Sequence, residues 1–265
     1  MDAAYLSLPQ IPAQPDRPET RLSGGLMRIQ GGPLSSQGGR LAFHHYRPLS
    51  TGQGLLFGLF YSNMMLSARR GSAIEQVTFT DFPPASDPFD LQIDDSGGQS
   101  QHFGLSLAWS HRLSTGSHWQ LGLNLERVDI DEFSIDFHTT DILGRIDYAA
   151  RYDAVTPYAA WHTPVGSLDN EWQQRVRIVT ALPLPRQGFQ GHIRTATVDA
   201  SGDTEQAGHG AHIPDFFLGV GYTLEQNGSG LRLDLGASLS FLIIEPLAHK
   251  GLDTPLLLQL SLPLD

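Results

Sequence analysis

The part of this sequence that most limits its fold is residues 213–241. Along the first arm Phe216, Leu218, Val220, Tyr222 and Leu224 alternate with Phe217, Gly219, Gly221 and Thr223. Along the second, Leu231, Leu233, Leu235, Ala237, Leu239 and Phe241 alternate with Arg232, Asp234, Gly236, Ser238 and Ser240. A period of two belongs to strands, whose successive side chains point to opposite faces. Asn227-Gly228 between the arms predicts a tight hairpin, because both central residues of such a turn take positive φ. Each arm has about the 9–11 residues that a tilted strand needs to cross a bilayer. A greasy face backed by a small, polar or charged one predicts a transmembrane hairpin, with lipid outside and a polar lumen inside.

Composition agrees. No apolar run reaches the 18 residues of a membrane-spanning helix. Charged residues make up 17% of the chain, against about 25% in an average soluble protein. A chain so poor in charge either buries much surface or faces lipid; a secreted soluble β-sandwich is the alternative that composition leaves open. Cysteine is absent, which excludes a disulfide framework and thiolate chemistry. A net charge of −11 argues against nucleic acid as a partner, since that needs a basic patch. Among the basic residues only Lys250 is a lysine; arginine suits bidentate ion pairs in a narrow, partly dry lumen. The start, Met1-Asp2-Ala3-Ala4, has no basic and apolar leader, so the expectation is a mature form from which a signal peptide is missing.

The chain divides into a proline-rich tail over residues 1–20 and a barrel over residues 21–265. Pro9, Pro12, Pro15 and Pro18 exclude a helix or a central strand there. The tail reads either as an extended appendage or as a plug that enters the lumen. Beyond it, twelve strand-like segments follow, at about 21–30, 40–48, 54–67, 101–113, 118–127, 143–152, 157–163, 173–184, 189–199, 214–225, 230–243 and 255–264. Connections alternate between short and long, which is the habit of barrels with short turns facing the periplasm and long loops facing outward. The predicted fold is all-β: an up-and-down antiparallel transmembrane barrel of about twelve strands, within a range of ten to fourteen, both termini periplasmic.

In the strands at 216–224 and 231–241 the chain resembles Gram-negative outer-membrane β-barrel proteins as a broad group. The resemblance implies an outer-membrane location, in contact with outer-membrane lipid and lipopolysaccharide. It departs at the end, Leu262-Pro263-Leu264-Asp265, where such proteins usually carry an aromatic residue. The His-x-Ser pair of outer-membrane phospholipases and lipid A deacylases is absent. The Asp-x-His spacing of rim proteases occurs at Asp136-Phe137-His138, without that family's surrounding pattern. An enzyme is therefore not the favoured reading.

Other clusters read as ordinary structure. His209 and His212 supply two imidazoles, where zinc takes three or four ligands. His44 and His45 fall on opposite strand faces and cannot share a metal. Asp94-Asp95 lacks the spacing of a calcium loop. No cofactor or metal is expected. Trp109, Trp119, Tyr148, Tyr152, Tyr158, Trp161, Phe216 and Phe241 sit near strand ends, where amphipathic rings suit the headgroup level.

The charges on polar strand faces are the functional candidates: Glu126, Arg145, Asp147, Arg151, Arg175, Arg177, Arg194, Arg232 and Asp234. They line the lumen either as an ion-paired filling or as a wall that selects solutes by charge. If segments 173–184 and 189–199 fold back on each other, Arg175 and Arg177 adjoin Arg194. The function expected is passage of a small solute. The alternatives are a closed structural or adhesive barrel acting through its outward loops, and a lipid hydrolase.

Overall fold

The structure is a computed structural model that describes residues 11–12, 16–31, 34–71, 73–77, 89–139, 143–168, 171–182, 184–185, 190–199, 202–208, 217–242, 251–253 and 256–264. Regular structure among them is entirely β. In chain order the segments are β1 (Glu19–Gly31), β2 (Leu34–Ser50), β3 (Gln53–Ala68), β4 (Ala73–Val77), β5 (Phe89–Arg112), β6 (His118–His138), β7 (Leu143–Leu168) and β8 (Trp172–Ala181). There follow β9 (Leu184–Pro185), β10 (Gln190–Asp199), β11 (Gly202–Gly208), β12 (Phe217–Gln226), β13 (Arg232–Leu242), β14 (Gly251–Asp253) and β15 (Leu256–Pro263).

Neighbours in the sheet pair antiparallel, and the sheet closes on itself. The closed path runs β1–β2–β3–β5–β6–β7–β8–β12–β13–β15, with β15 back against β1 through Arg21↔Pro263 to Arg28↔Leu256. Among the described residues ten segments thus form the ring. With β10 and β11, twelve lie on the pairing path. The expected count of about twelve matches that path, and the ring of ten is the lower end of the expected range.

The difference between ten and twelve has a local cause. Turns are predicted at 153–156 and 185–188, but β7 runs unbroken through the first. Residues 153–156 pair in register with Arg127, Glu126, Leu125 and Asn124 of β6, and Pro157 continues opposite Leu123. At the second, β8, β9 and β10 pair one after another with the same β7. They follow one another along one stave instead of folding back.

The termini of the sheet, Glu19 and Pro263, share an end with the short turns at Thr51-Gly52, 113–117 and 227–231. Gly52 takes φ of 79° and Gly228 of 93°, values that a side chain would strain. The last turn is wider than the two-residue hairpin predicted: Gln226 N–H donates to the Leu231 carbonyl at 2.8 Å. This end corresponds to the periplasmic side of the sequence reading.

The outer face carries the membrane belt. Leu26, Leu41, Leu59, Phe103, Leu121 and Leu258 are 45–67% exposed there. Leucine at this density on an open surface is stable only against hydrocarbon. Trp109 and Trp119 stand exposed at its lower edge, with Trp161 across from Trp119, as expected for interfacial rings. Tyr148 and Tyr158 instead point inward and are buried; Phe216 lies outside the described residues, as do the side chains of Tyr152 and Phe241.

β5, β6 and β7 have 24, 21 and 26 residues, about twice what the bilayer needs. In this overshoot the faces exchange character. Phe133, Ile135, Phe137, Ile146 and Tyr148 are buried inside. Outside, Arg127 donates to Asp153 at 2.8 Å and Arg145 to Asp147 at 2.8 Å. Water replaces lipid beyond the belt, so charge moves to the outer wall and apolar side chains fill the interior.

Candidate functional site

Within the belt the interior is polar and packed. Ser106, Gln120, Asn124 and Thr156 on β5, β6 and β7 have no measurable exposure. Gln120 is fixed on both sides: its amide donates to the Tyr158 hydroxyl at 3.0 Å, and its oxygen lies 3.1 Å from His162 Nε2. Tyr158 in turn lies 3.0 Å from Ser106. The network holds these side chains in fixed positions across the interior at this level.

Nearer the end that carries the sheet termini and the short turns lies the principal charge cluster. Glu225, the penultimate residue of β12, is its centre. One carboxylate oxygen accepts from Arg21 at 2.7 Å, the other from Arg232 at 3.0 Å, with Arg175 at 3.6 Å. Arg21 also pairs with Glu19 and donates to the Gly230 carbonyl at 2.6 Å. Asp234 accepts from Thr223 at 2.6 Å. The Arg21, Glu225 and Arg232 side chains are all at or below 3% exposure, so pairing is what makes their burial affordable. Asp234 and Arg177 offset each other, and the remaining three arginines, Arg21, Arg175 and Arg232, meet two glutamates, Glu19 and Glu225, which leaves one positive charge in excess in this group.

The sixth member is not on the wall. Ile11, from the proline-rich tail, lies inside the barrel at 1% exposure. Its carbonyl accepts from Arg175 at 3.0 Å and from Arg232 at 3.4 Å. Its side chain joins a buried apolar cluster with Met27, Leu56, Met64, Phe217 and Leu257. The rest of residues 1–15, apart from Pro12, is outside the described residues.

Higher on the wall, Arg40 stands 3.9 Å from the centroid of the Phe60 ring, and His102 lies 3.2 Å from Glu126.

The sequence-predicted residues separate into three groups. Glu126, Arg175, Arg177, Arg232 and Asp234 face the interior; all but Arg175 are buried, and its side chain is only 14% exposed. Arg145, Asp147 and Arg151 face outward on β7, with the side chains of Arg145 and Arg151 49% and 63% exposed. This corrects their assignment to the lumen. Their alternating partners Ile146, Tyr148 and Ala150 look lipid-facing in sequence, but the segment stands beyond the lipid. For Arg194 only the backbone is described, opposite Asp147. Arg177 lies opposite His162, fifteen residues away along β7, or about 50 Å of extended strand. Arg194 therefore does not join Arg175 and Arg177.

Sequence reading omitted Arg21, Arg40, Glu225 and His162. The signal was present for Glu225: one further step along Gly219, Gly221 and Thr223 reaches it. Of the rim spacing, His138 Nδ1 lies 2.8 Å from Asp94, while Asp136 faces Arg145 at 3.6 Å. His209 and His212 lie outside the described residues.

No family model matches the sequence, and no curated protein does. Solved structures share the barrel shape. The translocator domain of the autotransporter NalP from Neisseria meningitidis is 9% identical, over 92% of this chain and 88% of that one, with a TM-score of 0.46. The β domain of the Bordetella autotransporter BrkA is 12% identical over 92% and 98%, at 0.44. The toluene transporter TodX of Pseudomonas putida is 9% identical over 99% and 93%, at 0.36. Likenesses this distant carry no argument about function; the barrel rests on its own strand pairing and its apolar belt.

Proposed function

We propose that this chain is an outer-membrane channel for a small solute, held shut by its own N-terminal segment. The observation that carries the reading is Ile11: a main-chain carbonyl from outside the wall sits in the lumen on two wall arginines. A barrel built only as a rigid support needs no such guest. Most of its interior charges pair among themselves at Glu225, and Ile11 adds contacts that a movable gate would use. In this reading the belt meets outer-membrane lipid, the charged outer wall of β5–β7 meets the lipopolysaccharide layer, and the excess positive charge at the cluster favours anions.

The test is conductance in planar bilayers. Ile11→Lys puts an ammonium into an apolar cluster beside the cationic Arg175 and Arg232, a burial that costs several kcal/mol and expels the segment. The native chain is expected to show rare, brief openings and Ile11→Lys a stable, weakly anion-selective pore. A native chain that conducts steadily, or an Ile11→Lys chain that folds and stays closed, overturns the gate. The second of these outcomes favours the closed structural barrel, a reading to which the packed Ser106–Gln120–Tyr158 level already lends some weight.

A further inference from the structure

We infer that the solute is an apolar monocarboxylate, and that Ile11 occupies its binding site. The inference deepens the channel reading and rests on it. Ile11 presents two things at once: a carbonyl oxygen to Arg175 and Arg232, and a branched aliphatic side chain to the cluster containing Met27, Leu56, Met64, Phe217 and Leu257. That is the outline of a short amphipathic molecule, oxygen at one end and hydrocarbon at the other.

The polar end is underused by a backbone carbonyl. Arg232 is 1% exposed, and its Nε finds no acceptor among the described residues. Arg175 Nη1 donates to the Ile11 oxygen, while Nη2 reaches Gln173 at a long 3.3 Å. A carboxylate brings two oxygens where the carbonyl brings one, and its charge-assisted hydrogen bonds to arginine are about twice as strong as neutral ones. It also cancels the single positive charge that Arg21, Arg175 and Arg232 hold over Glu19 and Glu225. A dianion overshoots that balance, and a neutral alcohol leaves it unmet.

The apolar end sets the rest of the class. The interior of the β5–β7 overshoot is lined by Phe133, Ile135, Phe137 and Ile146. Below it comes the polar level of Ser106, Asn124 and Thr156, and the arginine cluster follows nearer the other mouth. A small sugar or a hydrated ion gains nothing from the first zone; a hydrocarbon without a charge gains nothing from the second. An apolar acid uses both, tail toward the outer rim and carboxylate toward the cluster.

The measurement uses competition with the tail. The chain has no cysteine, so Ile11→Cys carries the only thiol. The full-length variant is placed in phospholipid nanodiscs, which leave both mouths open, and labelling by a bulky hydrophilic maleimide reports when position 11 leaves the lumen. Decanoate is expected to speed labelling several-fold; decanol and succinate at equal concentration are not. Adding Arg175→Gln is expected to raise the basal rate and to require about ten times more decanoate for half-effect, since a hydrogen bond to a charged group is lost. Equal action by decanol or by succinate overturns the inference, and so does unchanged discrimination in the Arg175→Gln background. An unboiled gel band shifted like the parent's shows that each variant is folded. The two readings fail separately: a pore opened by Ile11→Lys with no decanoate preference sinks only the solute class, whereas a closed Ile11→Lys pore sinks both.

Discussion

Gly104 on β5 tests how the interior is packed. A Cβ added there would lie 1.9 Å from Phe60 Cζ and 2.1 Å from Cε1, far inside contact distance. The ring cannot simply swing aside. It is 7% exposed, carries the Arg40 guanidinium 3.9 Å from its centroid and meets His102 edge-on at 4.9 Å. Overpacking of this kind costs about 1–3 kcal/mol. Tilting Phe60 away from Arg40 adds up to about 2 kcal/mol for a desolvated cation–π contact. Gly104→Ala is therefore expected to destabilise the barrel by about 2–4 kcal/mol, read as a lower denaturant midpoint by tryptophan fluorescence in detergent. Gly39→Ala is the control: it lies on the outer face with nothing within 4 Å of the added atom, and its midpoint is expected to hold within about 0.5 kcal/mol. Repeating Gly104→Ala in a Phe60→Leu background closes a double-mutant cycle, and most of the cost should vanish there. If Gly104→Ala is as mild as Gly39→Ala, or its cost survives intact without the ring, the packing argument is wrong.

Further expectations follow from the charge distribution. Glu225→Gln takes from Arg21, Arg175 and Arg232 the carboxylate they share, and the loss is expected at about 3–5 kcal/mol in the same unfolding assay; a loss under about 1 kcal/mol would mean the cluster is well hydrated. Arg127→Gln removes an outer-wall pair whose side chains are 61% and 40% exposed, and no shift in midpoint should be seen. Arg145→Gln, placed in the Ile11→Lys pore, is expected to leave reversal potentials unchanged, because the guanidinium is outside the lumen; a changed ion preference would return it to the wall. On a gel, the unboiled chain should run faster than the boiled one, as a closed detergent-resistant barrel does; no shift together with solubility in plain buffer would sink the membrane reading.

Much of the wall was legible because lipid enforces alternation. Leu218 and Val220 outside, with Arg232 and Asp234 inside, fall where period two puts them, since a polar residue turned to hydrocarbon is heavily penalised. Legibility stopped where lipid stops. Past Asp153 and Arg127 the same alternation continues with its sides exchanged, and nothing in Arg145-Ile146-Asp147-Tyr148 says which side is wet. The predicted turn at 153–156 failed for a related reason: a strand twice the bilayer's span runs straight through it. The cluster at Glu225 was half visible: Arg175, Arg177, Arg232 and Asp234 were found by parity, whereas the carbonyl of Ile11 has no sequence signature. A tail with four prolines announces only that it is neither helix nor strand.

The hydrogen bond from Arg21 to Glu225 joins residues 204 positions apart, and that separation governs how the chain can enter a bilayer. Arg21 belongs to the first strand, Arg232 to one of the last, and their shared carboxylate lies between them across the β1–β15 closure. Glu225 and Arg232 already face each other in the β12–β13 hairpin, but until that closure forms Arg21 is cut off from them, at a cost of several kcal/mol. Strands therefore gain nothing by inserting one at a time. The favoured route is to assemble most of the cylinder at the interface and sink it nearly shut, with the meeting of first and last strands as the slow, long-range step. The same residues that close the mouth of the lumen also decide when the wall is finished.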